Sequence, residues 1–153
     1  MRVVLFVVGL ACFMTAASAA ELKTYIVKGA FDEVAFDVES TIVDRGLVID
    51  MKGDVGGMLD RTGKDVGGTK KIYAGAKYFT FCSAVLSRKM MEADAATMGV
   101  CPYSIFVYET MAKPGEVVVG YQRTSGGGSE AASSVLTQID TWLDGIVREA
   151  AGK

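Results

Sequence analysis

Two cysteines carry the strongest chemical suggestion in this sequence. Cys82 and Cys101 are separated by eighteen residues, and Pro102 follows the second directly. Cys82 stands before Ser83, which fits the N-cap of a helix running to about Ala93. A thiolate there would be stabilised by free backbone N–H groups and the helix dipole, lowering its pKa. Pro102 has no N–H and fixes the chain beside the second sulfur. Three outcomes stay open for the pair: a structural disulfide, a redox couple, or soft-metal binding. For the last, Met90, Met91 and Met98 in the intervening segment add thioethers suited to Cu(I). The Cys-x-x-Cys spacing of dithiol oxidoreductases is missing, and no cofactor is specified.

Other chemistry is thinner. The sequence contains no histidine, which removes Ser-His-Asp and Cys-His catalysis, His-ligated zinc and c-type haem attachment. The carboxylates Asp94, Glu109 and Asp140 stand far apart and form no evident acid/base pair. A hydrolase or isomerase built on them is the weakest reading. Asp-Val-Gly-Gly occurs at 54–57 and at 65–68. Neither copy has the order of a phosphate-binding loop or a dinucleotide fingerprint. Net charge is −2 with both signs interspersed, so nucleic acid is not an expected partner.

Length and composition set the frame for these groups. With 153 residues, half of them apolar, the chain suits one domain with an ordinary core. Residues 1–19 read as an export signal: Arg2, an apolar run from Val3 to Met14, then Ala17-Ser18-Ala19 as the cleavage site. Residues 20–153 are then a single domain in a periplasmic or secreted setting, with no membrane segment after cleavage. Cys12 lies within the apolar run and lacks the flanks of a lipid-attachment site.

The elements that must position the cysteines read in order. Leu22–Val27 alternates as a first strand. Phe31, Val34, Ala35, Val38 and Ile42 recur at helical spacing, with Gly46 as a left-handed stop. Leu47–Met51 is a short strand. Val55, Met58, Leu59, Thr62 and Val66 fit a weak helix, or a mobile flap. Lys70–Lys77 reads as a connection before a strand at Tyr78–Cys82. Val85, Leu86, Lys89 and Met90 share the face of the next helix. Asp94–Gly99 leads out of it to Tyr103–Glu109, whose two faces are both apolar or aromatic, which places it centrally in a sheet. Lys113-Pro114-Gly115 turns into Glu116–Gln122 as a hairpin. Ser125–Ser129 is linker-like, and Ser133–Ala150 is a helix with a wide apolar stripe around Trp142. The order βαβ(α)βαββα predicts an α+β fold, a two-layer helix-on-sheet domain over a mostly antiparallel or mixed sheet. An antiparallel return between the third and fourth strands would bring Cys101 level with Cys82. A parallel one would put them at opposite sheet ends.

Phe81-Cys82-Ser83-Ala84, Met90-Met91-Glu92-Ala93-Asp94 and the run Cys101 to Glu109 together resemble the domain of unknown function 302 family, and Pro114-Gly115 and Val119-Gly120-Tyr121 continue the likeness. Members carry a cysteine before a helix and a Leu-Pro-Cys-like motif before the next strand. The Cys-Pro order here marks a branch of that family. The resemblance implies a fold similar to TATA-binding-protein-like domains, a homodimer and no established activity. The expectation is a non-enzymatic exported module that binds a small-molecule ligand or a periplasmic protein partner. It would do so through its sheet face and cysteine segment, with Ser83, Pro102, Tyr103 and Glu109 as candidate contacts. The alternative is a thiol-redox or soft-metal protein using Cys82 and Cys101.

Overall fold

The computed structural model describes residues 21–125 and 128–153. The expected export signal at 1–19 and Cys12 lie outside the described residues, as does part of the Ser125–Ser129 run. Five strands form one sheet in the order β1-β5-β4-β3-β2, antiparallel at every pairing. They are β1 (Leu22–Lys28), β2 (Ile49–Asp54), β3 (Tyr73–Phe81), β4 (Tyr103–Thr110) and β5 (Glu116–Gln122). The helices are α1 (Phe31–Asp44), α2 (Val55–Thr62), α3 (Ala84–Ala93) and α4 (Glu130–Ala150). The chain is the α+β domain its pattern predicts, and β4 is the central strand.

Strand alternation divides the sheet into two faces. On one, Tyr103, Ile105, Val107, Val117, Val119, Tyr121, Phe79 and Phe81 are at most 2% exposed. Against them lie Val34, Val38 and Ile42 of α1, Met90 of α3 and the α4 stripe of Leu136, Ile139, Leu143 and Ile146. Apolar residues at three- and four-residue intervals give α1 and α4 one buried stripe each, and a sheet face is the surface that covers it. α1 ends as its sequence suggests. Gly46 has φ +74°, its N–H donates to Val43 O, and Leu47 N–H donates to Ile42 O.

Two strands and the facing of one helix differ most from the sequence expectation. β2 starts at Ile49 and runs on through Lys52-Gly53 to Asp54, whose carboxylate accepts from Gly57 N and starts α2. β3 starts at Tyr73, inside the segment that reads as a connection, because Tyr73 to Lys77 pair with Thr110 to Val107. Small residues there leave room for neighbours: Ala76 lies against buried Gly56 of α2. In α3 the inward residues are Ser87 and Met90, while Val85 is 76% exposed. Ser87 turns in because its hydroxyl finds a buried partner, described below.

Candidate functional site

β3 and β4 are antiparallel, so the end of one and the start of the other meet at the same sheet end, where Phe81 pairs with Tyr103. Cys82 follows Phe81 and Cys101 precedes Pro102-Tyr103. Their sulfurs are at disulfide distance, with the Cα atoms 6.1 Å apart and the two residues 19 positions apart in sequence. α3 goes out from Ser83, and a 3-10 turn at Ala95–Val100 brings the chain back. Ser83 Oγ accepts from Leu86 N at 3.3 Å, which makes it the N-cap its sequence position suggests. Asp94 organises the return, accepting from Ala96 N at 2.9 Å and Ser129 N at 3.3 Å. The Cys101–Pro102 peptide is cis.

Beneath the sulfurs lies a polar and aromatic support. Ser87 Oγ lies 3.5 Å from Cys101 Sγ and 3.2 Å from Tyr103 Oη. Tyr103 is 2% exposed, and its ring meets Phe81 and Trp142 edge-on. Burial pushes the Tyr103 phenol upward in pKa, and the Ser87 hydrogen bond opposes this in part. Both cysteines are partly accessible. Sequence reasoning missed Ser87 and the Trp142 contact. Ser87 is four residues after Ser83 on the same turn-to-turn line of α3, and that spacing was the available signal.

Of the four candidate contacts, Ser83, Pro102 and Tyr103 stand by the cysteines, with the Tyr103 side chain in the core. Glu109 does not. It lies six residues further along extended β4, roughly 20 Å away, and accepts from Gly115 N at 2.6 Å, closing the β4–β5 turn. Asp140 is also occupied: it is 7% exposed and accepts from Arg123 Nη2 at 3.0 Å and Thr124 N at 3.2 Å. The three carboxylates hold separate structural bonds. Among the described residues no group of three Cys, Asp or Glu is placed to hold a metal ion.

The second region of note is the other face of the sheet. Phe106, Tyr108, Tyr78 and Val118 are half-buried at its centre, and Leu22, Ile26 and Met51 are 58, 51 and 57% exposed around them. Phe106 and Tyr108 stack at 6.1 Å, and Tyr73 meets Tyr108 edge-on at 5.6 Å. A Cβ at Gly120 would come 2.8 Å from the Phe106 ring, so glycine there lets the ring lie flat across β5. Of the described helices, only α2 reaches this face, at the Ala76 corner. Among the described strand residues, the charges on this face are Lys28 and Glu116 at one end, paired at 2.9 Å.

This architecture has relatives. A family model described as "Domain of unknown function DUF302" matches residues 23–149. The chain belongs to the DUF302 family. The crystal structure of an uncharacterized conserved DUF302 protein from Bacillus stearothermophilus is similar to it with a TM-score of 0.69. The alignment covers 84% of this chain and 97% of that one at 13% identity, a likeness of fold alone. No curated protein matches the chain. The family model takes in both cysteines and all of the five strands but Leu22, so the regions described above belong to the DUF302 unit itself.

Proposed function

We propose that this DUF302 domain is an exported, non-enzymatic binding module that pairs with a second copy of itself through the helix-free face of its sheet. The observation that carries this is the composition of that face: aromatic and aliphatic at the centre, hydroxyls of Thr24, Thr80 and Ser104 between them, and no unpaired charge. A patch of that kind on an exported domain is an interaction surface. Its scale fits a copy of itself. Five strands of this length span about 24 Å each way, so a face measures roughly 500 Å² and two apposed faces bury on the order of 1,000 Å², near the lower end of specific interfaces. A second copy brings the same neutral surface, with no like charges to oppose it. Sedimentation of residues 20–153 tests this. The expected result is a dimer at micromolar concentration that Ile26→Lys with Val118→Lys converts to a monomer, with circular dichroism unchanged. A monomer at about 100 µM, or a dimer that survives both lysines, overturns it.

A second reading, thiol redox, is favoured by one observation: the Cys82–Cys101 pair is partly accessible and sits at the start of α3. Transfer would reduce the pair to two thiols while a partner dithiol becomes a disulfide. Thiol counting on protein recovered from the exported compartment separates the cases. A pair that cycles between forms with mild dithiols supports redox work, and one that resists reduction while folded has a structural role.

A further inference from the structure

The helices leave one corner of the covered face open, where the β2 edge extends past α1. The register puts Lys52 opposite Phe79 and Asp54 opposite Lys77, so these four residues form a square on one face with the lysines at a diagonal. Asp32, Ala35, Phe36 and Glu39 lie at i, i+3, i+4 and i+7 of α1, one line of a helix, and form the facing wall. Between wall and floor is a cleft of about 340 Å³, at the small end of sites for small molecules.

Its deepest residues are apolar: Phe79 of the floor is 2% and Ala35 of the wall 4% exposed. Its rim is not. Lys52 Nζ meets Glu39 Oε1 at 2.5 Å, and Lys77 Nζ meets Asp32 Oδ1 at 3.2 Å while lying 5.3 Å from the centre of the Phe31 ring. Phe36 is 67% exposed at the mouth, unusual for a phenylalanine on a helix that has a full buried stripe. The ion pairs are exposed and hold their partners weakly, so an incoming charge can replace either member.

We infer that this cleft binds a free amino acid with an apolar side chain. A pure anion would meet three carboxylates, and a pure cation would meet two ammonium groups. A ligand with both charges carried on one carbon satisfies each. Its carboxylate takes the diagonal between Lys52 and Lys77, and its ammonium takes Glu39 or Asp32, which those lysines release. Its side chain lies between Phe36 and Phe79. The cleft is on the helix side of the sheet, so this inference stands or falls independently of pairing through the other face.

Calorimetric titration of residues 20–153 with L-phenylalanine tests it, beside 2-phenylethylamine, which lacks the carboxylate, and 3-phenylpropanoate, which lacks the ammonium. The expected result is saturable binding of the amino acid, with both analogues at least about tenfold weaker. Lys52→Gln and Phe36→Ala should each weaken it at least about tenfold, and their exposed positions leave the fold intact by circular dichroism. No saturable binding up to about 10 mM, an analogue that binds as well as the amino acid, or variants that bind like the parent would each overturn the inference.

Discussion

β4 presents two surfaces from one strand. Tyr103, Ile105 and Val107 point to the helices and are at most 2% exposed, while Ser104, Phe106 and Tyr108 point the other way and stay within reach of solvent. The residue types differ little between the two sides. What differs is the cover. α1, α3 and α4 close one face, and over most of the other the described chain supplies nothing. The covered face also contains its own answer to every polar group brought inside, since no buried side-chain nitrogen or oxygen among the described residues lacks a partner. Arg123 and Asp140, Tyr121 and the Asp140 carbonyl, and Ser87 and Tyr103 are those answers. The open face has few such bonds, and its polar groups are hydroxyls that water or a partner can satisfy. The covered face thus has the features of a core, and the open face those of an uncovered apolar surface.

The sharpest test of that contrast compares two isoleucines. Ile105→Ala removes a fully buried side chain among α1, α4 and β3 and should cost about 2–5 kcal/mol, the range for large-to-small core changes. Ile26→Thr keeps a β-branched residue on the open face of β1, where the parent is 51% exposed. It should change monomer stability by less than about 1 kcal/mol. Urea unfolding at protein concentrations low enough to keep the chain monomeric separates the two. Equal losses would mean that both faces are core, and would break the distinction.

Much of this division is legible in the sequence, and the rest is hidden for physical reasons. The order of elements, the left-handed Gly46 and the central place of β4 all follow from local pattern, because turn geometry and double-sided apolar strands leave marks in consecutive residues. The early start of β3 leaves none. Ala74-Gly75-Ala76 has low strand propensity and becomes strand through pairing with β4, a long-range effect. The inward face of α3 is misread for a related reason. Hydropathy turns Val85 in, yet a serine is accepted because Tyr103 supplies its hydrogen bond from another element. The cysteine pair is half legible. Spacing allows the two sulfurs to meet or to sit at opposite ends, and strand direction decides. Glu109 is close to Cys101 in sequence, but extended chain carries it to the far end of the sheet. Which side of β4 is covered cannot be read from β4 at all, since both sides are apolar. That depends on which way the stripes of α1 and α4 fold over.

Opening the Cys82–Cys101 link should separate the two faces again. The bond closes a loop of about twenty residues, and removing it frees the unfolded chain to a degree worth about 3 kcal/mol. The double variant Cys82→Ala with Cys101→Ala should therefore melt lower by roughly that free energy. The link fastens α3 and its return to the sheet end on the helix side, so the loss should fall on the covered layer. Hydrogen exchange should rise in α3 and the Ala95–Val100 turn, with β1 and β5 protected as before and the proposed pairing through the open face retained. Loss of pairing in this variant would show that the cysteine segment contributes to the interface, and would blur the boundary between the two regions.

The smallest effect concerns the phenols of the covered face. Tyr121 is fully buried and donates to the Asp140 carbonyl at 3.0 Å. Burial first, and then the nearby Asp140 and Asp144 carboxylates, push its pKa well above the ordinary tyrosine value, and burial pushes Tyr103 the same way. A group that holds its proton more tightly when folded contributes stability that is fully present below the unfolded pKa of about 10. As pH rises beyond that value the unfolded chain gains by ionising and the folded one does not, so stability falls. Thermal melting between pH 8 and 11 should show a decline that begins near pH 10. Tyr121→Phe should cost about 1 kcal/mol at neutral pH through the lost hydrogen bond, and should make the alkaline decline shallower. If the decline keeps its full slope in Tyr121→Phe, it arises from groups other than Tyr121, and that phenol adds nothing to the difference between the faces beyond its hydrogen bond.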